Sequence, residues 1–244
     1  MNARDTILKA IASKSVAAAL VVATVPAAFA QAASDPRPPD TMEARVAACA
    51  PCHGAQGEGT SDVYFPRIAG KPSGYLFNQL LAFHVKRRKY PPMNYLLEFL
   101  PEAYLHEIAD YFAGLRPPLP PPEPIAVGAD VLKLGETLVT RGDAARNIPA
   151  CTSCHGVSLT GLEPGIPALI GLRAKYISAQ LGAWRYGTRT AATPDCMQIV
   201  AAHLTEKDVA AVAAWLSSRP APPNLAPAAK GSFAPPFACG SEPN

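Results

Sequence analysis

One short pattern, Cys-x-x-Cys-His, occurs twice in the chain, and the second copy lies 102 positions after the first. The first copy spans residues 49–53 and the second spans residues 151–155. Further residues recur in the same order at almost the same offset. The matched pairs are Pro66 and Pro167, Gly70 and Gly171, Tyr75 and Tyr176, Gln79 and Gln180, Leu80 and Leu181, Arg88 and Arg189, and Met93 and Met197. A shared order of this length indicates a duplicated domain.

Both motifs predict covalent attachment of a haem, because two thiols followed directly by a histidine are typical of c-type haem sites. The thiols add to the two vinyl groups of one haem, and the imidazole binds the iron from below. The predicted attachment residues are Cys49, Cys52, Cys151 and Cys154, and the predicted iron-binding histidines are His53 and His155. A disulfide redox pair or half of a zinc site also uses Cys-x-x-Cys, but neither requires the following histidine.

Methionines are the predicted sixth ligands of the two irons. Met93 and Met197 lie 40 and 42 residues after their histidines, where each can approach the opposite face of the ring. A thioether raises the reduction potential relative to a second histidine. The alternative is that these methionines only fill the core, whereas Met42 lies too close to its motif to reach the far face. Other conceivable ligands, none of which recurs in the other copy, are His84, His106 and His203.

Two cysteines remain after the four haem thiols are assigned. Cys196 and Cys239 are predicted to form a disulfide, because leftover cysteines of an exported protein usually pair. Such a bridge would fasten the end of the chain beside Met197. The alternative is that Cys196 itself binds iron, which would lower the reduction potential and change the function.

Two repeated arginines are candidates for contact with the haem. Arg88 and Arg189 are predicted to hydrogen-bond haem propionates, since a guanidinium binds a carboxylate through two donors; the alternative is a solvated surface position. Arg88 belongs to the basic run 86–89 (Lys-Arg-Arg-Lys), which has no full counterpart in the second copy. This run is interpreted either as a docking patch for an acidic partner or as a solvated loop.

Composition divides the chain into five segments. The predicted order is a signal peptide (1–30), a first cytochrome-like domain (31–116), a proline-rich linker (117–124), a second such domain (125–219) and a proline-rich tail (220–244). Basic residues, an apolar run and a small-x-small site make up the signal, which predicts export to the periplasm. The alternative is a membrane anchor, but the run is shorter than the roughly 20 residues that a span requires. The linker favours extended, semi-rigid geometry.

Apolar residues at helical spacing predict a middle and a last helix in each copy. In the first copy, Ser73 is the expected N-cap of the middle helix, and Pro101 with Glu102 is expected to open the last helix. In the second copy, Thr205 with Asp208 fits a capping box at the start of the last helix. The predicted buried faces are Tyr75, Leu76, Leu80 and Phe83; Tyr176, Ile177, Leu181 and Trp184; Leu105, Ile108, Ala109 and Phe112; and Val209, Val212, Ala213 and Leu216. No stretch alternates as a strand does, so the predicted fold class is all-α.

The chain from about residue 40 to residue 219 resembles the di-haem class I cytochromes c of the cytochrome c4 type. The resemblance rests on both motifs, on the two methionines, and on the segments 65–70 (FPRIAG) and 166–171 (IPALIG), each followed by Tyr-x-x-x-Gln-Leu. It implies two class I cytochrome c domains that pack about a pseudo-twofold axis, with propionates near the interface. The chain departs from the family at Lys86, where the second copy has Gly187, and in its tail.

The leading functional hypothesis is a periplasmic carrier, not an enzyme, that exchanges single electrons between redox proteins. One alternative is the electron-accepting subunit of a periplasmic dehydrogenase, and another is a di-haem enzyme such as a thiosulfate dehydrogenase or a peroxidase. The expected partners are a terminal oxidase or a dehydrogenase, through which the protein would associate peripherally with a membrane. Without the first thirty residues the formal charge of +3 falls to about +1, so no nucleic-acid partner is expected.

Overall fold

The structure is a computed structural model that describes residues 39–61 and 65–242. The predicted signal peptide, residues 1–30, lies outside the described residues. None of the described residues belongs to a strand, and the only pairings between extended segments are isolated bridges such as that between Arg88 and Arg189. The all-α prediction is confirmed.

The helices follow one another in the same order in both halves. The α-helices are α1 (Met42–Arg45), α2 (Ala50–His53), α3 (Ser73–His84), α4 (Pro91–Leu97), α5 (Glu102–Gly114), α6 (Ala129–Thr140), α7 (Thr152–His155), α8 (Ala174–Arg185), α9 (Cys196–His203) and α10 (Glu206–Ser217). There are two 3₁₀ turns among the described residues: Ala47–Cys49, which ends on the first cysteine of the first motif, and Ala144–Arg146, which precedes the second motif. Helices α1, α4, α6 and α9 were not predicted from the sequence.

In the first half, α3 packs against α5 and also contacts α4. The predicted face of α5, which consists of Leu105, Ile108, Ala109 and Phe112, is buried. On α3, Leu76 and Phe83 are buried, while Tyr75 and Leu80 are partly buried against the same core. The helical spacing therefore identified the buried faces of both helices correctly.

In the second half, α10 lies between α6 and α8, and α9 contacts α8. The predicted face of α10, made of Val209, Val212, Ala213 and Leu216, is buried. The α6–α10 contact is close at Gly135, where a Cβ atom would lie 2.2 Å from the Ala211 carbonyl oxygen. Only glycine allows the two backbones to approach so closely.

The helix starts agree with the sequence in two of three cases. Thr205 and Asp208 form the predicted capping box at α10, and α5 begins at Glu102 with Pro101 as its N-cap. The expectation for α3 is wrong, because Pro72 is the N-cap and Ser73 is the first helical residue. The Ser73 hydroxyl instead donates a hydrogen bond to the Asp110 carboxylate on α5. It is therefore used for packing between helices rather than for capping.

The proline-rich segment between the halves is bonded to both of them. Arg67 in the first half donates hydrogen bonds to the carbonyls of Pro117 and Pro118 at 2.5 and 2.9 Å. Glu123 accepts a hydrogen bond from the Ala174 amide at the start of α8, at 2.8 Å. These bonds hold the segment against the protein, while the limits of the two domains stay a prediction.

The C-terminal tail, described from residue 220 to residue 242, lies along the second half. The Ala228 amide donates to Gly161 at 2.9 Å, and the Ala228 carbonyl accepts from Glu163 at 2.9 Å. Further along, the carbonyl of Ser241 accepts a hydrogen bond from the Asn78 side chain on α3 at 3.0 Å. The tail thus contacts both halves. No described helix has the length and apolar character required to span a membrane.

Candidate haem-binding sites

Each Cys-x-x-Cys-His motif forms a single helical turn. These turns are α2 and α7, and the histidine is the last residue of each. Gly54 and Gly156 follow with φ angles of +83° and +79°, a conformation that favours glycine. The chain therefore leaves the helix directly after the histidine, and the two thiols of one motif stay one turn apart.

Both motif histidines are held in one tautomer by a repeated proline. The Nδ1–H of His53 donates to the Pro66 carbonyl at 2.8 Å, and the Nδ1–H of His155 donates to the Pro167 carbonyl at 2.8 Å. A carbonyl can only accept, so Nδ1 carries the proton and Nε2 keeps its lone pair. An imidazole oriented in this way is the form that binds a metal.

Burial favours the neutral forms of both motif histidines and of the thiols of Cys49, Cys151 and Cys154. It lowers the pKa of His53 and lowers that of His155 to about 4. It also raises the pKa of Cys49 and of Cys154, and raises that of Cys151 to about 12. A redox-active dithiol requires a stabilised thiolate, so these environments disfavour the alternative of a disulfide redox pair.

A mostly apolar cavity brings the predicted residues of the second site together. Cys151, Cys154, His155 and Met197 all line it. Much of the remaining wall is aliphatic and includes Leu138, Ile148, Leu181, Val200, Leu204 and Val212. A large apolar ring would be buried in this cavity beside both an imidazole and a thioether.

Polar groups at the same cavity lack partners that their chemistry requires. The buried Nε1 of Trp184 has no hydrogen-bond partner within the described residues. Lys71, from the first half, is only 7% exposed, and its ammonium donates to the Ala168 carbonyl at 3.2 Å. Burial lowers the pKa of this ammonium to about 8. Buried donors and cations require acceptors and anions, which the two propionates of a haem would supply, so the cavity fits a haem.

At the first site, the ligand candidates lie on the corresponding elements. Met93 is on α4 and packs against a buried cluster of Phe83, Leu97 and Leu105. Cys49 packs against a second cluster that Met42 also contacts, which is consistent with a core role for Met42. Assignment of Met93 as an iron ligand stays a prediction.

The repeated arginines form a symmetrical network between the halves. Arg88 hydrogen-bonds Gln79 in its own half and, in the other half, Tyr176 and Gln180, at 2.6–3.0 Å. Arg189 makes the reciprocal bonds to Gln180, Tyr75 and Gln79, at 2.8–3.2 Å. The sequence analysis found these tyrosines and glutamines as repeated residues without giving them a role. Whether either guanidinium also reaches a propionate stays a prediction.

The basic run 86–89 does not form one free patch. Arg88 belongs to the network between the halves, and the buried Nε of Arg87 points away from solvent without a partner in the described chain. Lys86 pairs with Glu98 at 3.6 Å and, like Lys89, is exposed. The two lysines are therefore the exposed residues of the run, whereas Arg87 and Arg88 are partly buried.

Two of the remaining histidines have other roles in the first half. The Nδ1 of His84 lies 2.8 Å from the Leu97 carbonyl, and the ring of His106 stacks on Phe77 with centroids 3.5 Å apart. His203 is the last residue of α9 and is exposed. Their alternative role as iron ligands has no support from these contacts.

The two leftover cysteines are joined in the structure. Cys196, at the start of α9, and Cys239, in the tail, form a disulfide with their Cα atoms 5.2 Å apart. With its sulfur in this bond, Cys196 cannot also supply a thiolate to iron. The bridge places the tail beside Met197, and Phe237, Cys239 and Glu242 of the tail line the same cavity as Met197.

Comparisons with known proteins agree with these sites. Residues 133–220 match the family model Cytochrome c. The chain is 38% identical over 213 residues to the thiosulfate dehydrogenase electron acceptor of Thiomonas intermedia (strain K12), covering 86% of this chain and 95% of that protein. It is 35% identical over 176 residues to cytochrome c4 of Pseudomonas aeruginosa, covering 71% and 85%. The chain belongs to the cytochrome c4 family.

The fold supports the same assignment. The crystal structure of reduced cytochrome c4 from Pseudomonas stutzeri matches with a TM-score of 0.63 at 31% identity, covering 72% of this chain and 95% of that chain. As a member of the cytochrome c4 family, the protein is a c-type cytochrome that carries two covalently bound haem c groups and transfers electrons. The predicted fold class, cofactors and electron-transfer function are confirmed.

Sequence reasoning missed one charged residue of the second site. Lys71 lines the cavity of the second half although it belongs to the first. Its position in the repeat corresponds to Leu172, 101 residues later. A lysine where the other copy has leucine breaks the repeat, and this difference was the available signal.

Proposed function

We propose that the protein is a periplasmic electron carrier that accepts electrons from a thiosulfate dehydrogenase and passes them singly to a further redox protein. The relative from Thiomonas intermedia, named as the acceptor of that enzyme, aligns with 86% of this chain. The observation that carries the proposal is the second site, where His155, held neutral with its Nε2 free, lines one cavity with Met197. The repeat extends the same arrangement to the first site.

In this proposal each haem iron would be held by one histidine and one methionine of the chain. The ligands are His53 and Met93 at the first site and His155 and Met197 at the second. A bound haem c supplies a one-electron redox centre. The protein's own residues hold each imidazole through the proline carbonyl, exclude water with the aliphatic wall and present a thioether, which favours the reduced state. With a histidine and a methionine both bound to the iron, a substrate would have no free place on it, and such a site would exchange electrons only.

The first half offers a docking surface for the partner. We define this surface by Tyr95, Leu96, Phe99, Lys86 and Lys89. Tyr95 is 75% exposed and Phe99 is 85% exposed, and both lie within six residues of Met93. An exposed apolar centre with charged residues at its rim is typical of protein contact sites. The lysines favour an acidic redox partner through charge complementarity.

Stopped-flow reduction of the oxidised, purified holoprotein tests the proposal. We expect no reduction by thiosulfate alone and rapid reduction once a thiosulfate dehydrogenase is added, because electrons must arrive through a docked partner. The enzyme's turnover is first verified with an artificial acceptor. The Lys89→Glu variant should slow the reduction several-fold at low salt, while Lys133→Glu on α6 serves as the matched control.

Two outcomes of the stopped-flow experiment would contradict the proposal. Reduction by thiosulfate alone would show that the protein oxidises the substrate itself. Failure of an active dehydrogenase to reduce it would exclude this donor. The ligands are checked on the same samples: Met93→Leu and Met197→Leu should each remove about half of the near-infrared methionine–iron band, and Met42→Leu should leave it intact. An unchanged band in either ligand variant would refute that ligand.

A further inference from the structure

The second cavity is bordered by a buried cation that has no acidic partner. The ammonium of Lys71 is buried, and its hydrogen bond is to a neutral carbonyl, that of Ala168. No carboxylate of the described residues lies within 4.0 Å of it. A buried, unpaired charge is costly, so its retention indicates an anion that belongs to the assembled site.

The carboxylates nearest to this cavity have other environments. Asp195 lines it, but its oxygens accept hydrogen bonds from the amides of Ala191 and Gln198 and cap α9. Glu242 also lines it, and one of its oxygens is buried without a hydrogen-bond partner in the described chain. Neither carboxylate neutralises Lys71. A haem brings two propionates, which are anions of the required kind.

A second buried cation borders the same cavity. Arg189 is only 4% exposed, and its guanidinium lies over the Trp184 ring with its carbon 3.7 Å from the ring centroid. Its hydrogen bonds go to uncharged tyrosine and glutamine side chains. Arg189 has an equivalent in Arg88, whereas Lys71 has Leu172 at its equivalent position. Of the lysine and arginine side chains that line this cavity, Lys71 is therefore the one without a charged equivalent in the other copy.

We propose that Lys71 pairs with a propionate of the second haem and raises the reduction potential of that haem relative to the first. A fixed positive charge disfavours the ferric centre more than the ferrous one, which carries one positive charge less. The charge of Lys71 would thus favour an electron on the second haem over the first, and the exchange would oxidise one haem and reduce the other without proton transfer. The inference rests on the proposed binding of the second haem through His155.

Spectroelectrochemical titration of the full holoprotein, with and without the Lys71→Met substitution, tests this pairing. We expect the equilibrium constant for electron occupancy of the second haem over the first to fall about tenfold in the variant. A tenfold change corresponds to 59 mV for a one-electron couple. Repeating the titration in a Met93→His background assigns the potentials, because histidine ligation lowers the potential of the first haem.

Control variants separate charge from packing. Lys71→Arg keeps the charge and should keep the potential of the second haem, whereas Lys175→Met removes an exposed lysine of α8 and should change the ratio less than twofold. Lys71→Gln is the neutral variant if methionine is not accommodated. An occupancy ratio that stays within twofold of the wild-type value in every neutral variant would overturn the inference. An equal shift of the reduction potentials of both haems would also overturn it. Absence of the second haem's methionine–iron band in the wild-type protein would instead refute the proposed ligation.

Discussion

The start of the last helix differs between the two halves of the molecule. In the first half, α5 begins after Pro101 with no side-chain cap. In the second half, α10 begins with the capping box of Thr205 and Asp208, and Asp208 also binds Arg146 at 2.7 Å. The second half further carries the disulfide that holds the tail at its cavity. Copies of one sequence have therefore acquired different local reinforcement around the same fold.

The halves also differ in the residues that surround the predicted methionine ligands. Three large apolar side chains of the first half, Tyr95, Leu96 and Phe99, are exposed close to Met93. In the second half, tail residues such as Phe237 and Cys239 line the cavity that contains Met197. Tail residues thus contribute to the wall of the second site, while the first half exposes apolar side chains within six residues of Met93. Removing the reinforcement of the second half should make the halves more alike.

The largest change is expected from removal of the disulfide. The double variant Cys196→Ala with Cys239→Ala opens a loop with a sequence separation of 43 residues. Loop-closure entropy predicts that the free energy of unfolding falls by about 4 kcal/mol. Guanidinium unfolding followed by circular dichroism measures this change, and limited proteolysis should cut the freed tail first. An unfolding midpoint within error of the wild type, with an equally resistant tail, would show that the tail is held by its other contacts.

A smaller effect is expected from the cap of α10. Burial opposes ionisation of Asp208, but hydrogen bonds from Arg146 and Thr205 outweigh it and hold the pKa of Asp208 below its usual value. A lowered folded-state pKa contributes stability above the unfolded value of about 4, and this contribution is lost as the pH falls through the folded pKa. Asp208→Asn should therefore cost about 2 kcal/mol at pH 7.

Urea unfolding of this variant and the wild type, measured from pH 7 down to pH 3, tests the linkage. The difference between the two proteins should shrink as the pH falls below about 4 towards the lowered folded-state pKa, because the unfolded chain binds the proton before the folded protein does. Glu102→Gln at the start of α5 is the matched control, because Glu102 is exposed and has no capping bond; its effect should stay below about 0.5 kcal/mol. A pH-independent difference for Asp208→Asn would assign the loss to packing instead of charge.

Helical spacing and motif chemistry predicted the parts of the molecule that depend on local sequence. The buried faces of α5 and α10, the capping box and the all-α class follow from residues within a few positions of one another. The α3 N-cap was wrong because Ser73 bonds Asp110 on another helix. The position of Lys71 in the opposite half's cavity was missed for the same reason, since a contact between halves leaves no periodic signal. The repeat comparison did mark it, as a lysine opposite Leu172.

The smallest expected effect concerns the turn after the middle helix. Lys86 and Gly187 occupy this turn in the two halves, with φ angles of +61° and +68°. This left-handed conformation is unfavourable by about 1 kcal/mol for lysine and is almost neutral for glycine. Lys86→Gly should therefore raise the free energy of unfolding by about 0.5–1 kcal/mol, reduced by loss of the exposed ion pair with Glu98.

The reciprocal variant in the second half completes the test of this turn. A Cβ added at Gly187 would have no atom within 4 Å, so Gly187→Ala should lower stability by about 1 kcal/mol through the backbone alone. Thermal unfolding measures both variants, and Lys86→Ala, which loses the ion pair but keeps the strain, isolates the side-chain contribution. Opposite signs for Lys86→Gly and Gly187→Ala would show that the first half retains backbone strain that the second half avoids. Equal signs would mean that Lys86 is held by contacts beyond its turn, and the halves would then differ in packing instead of backbone conformation.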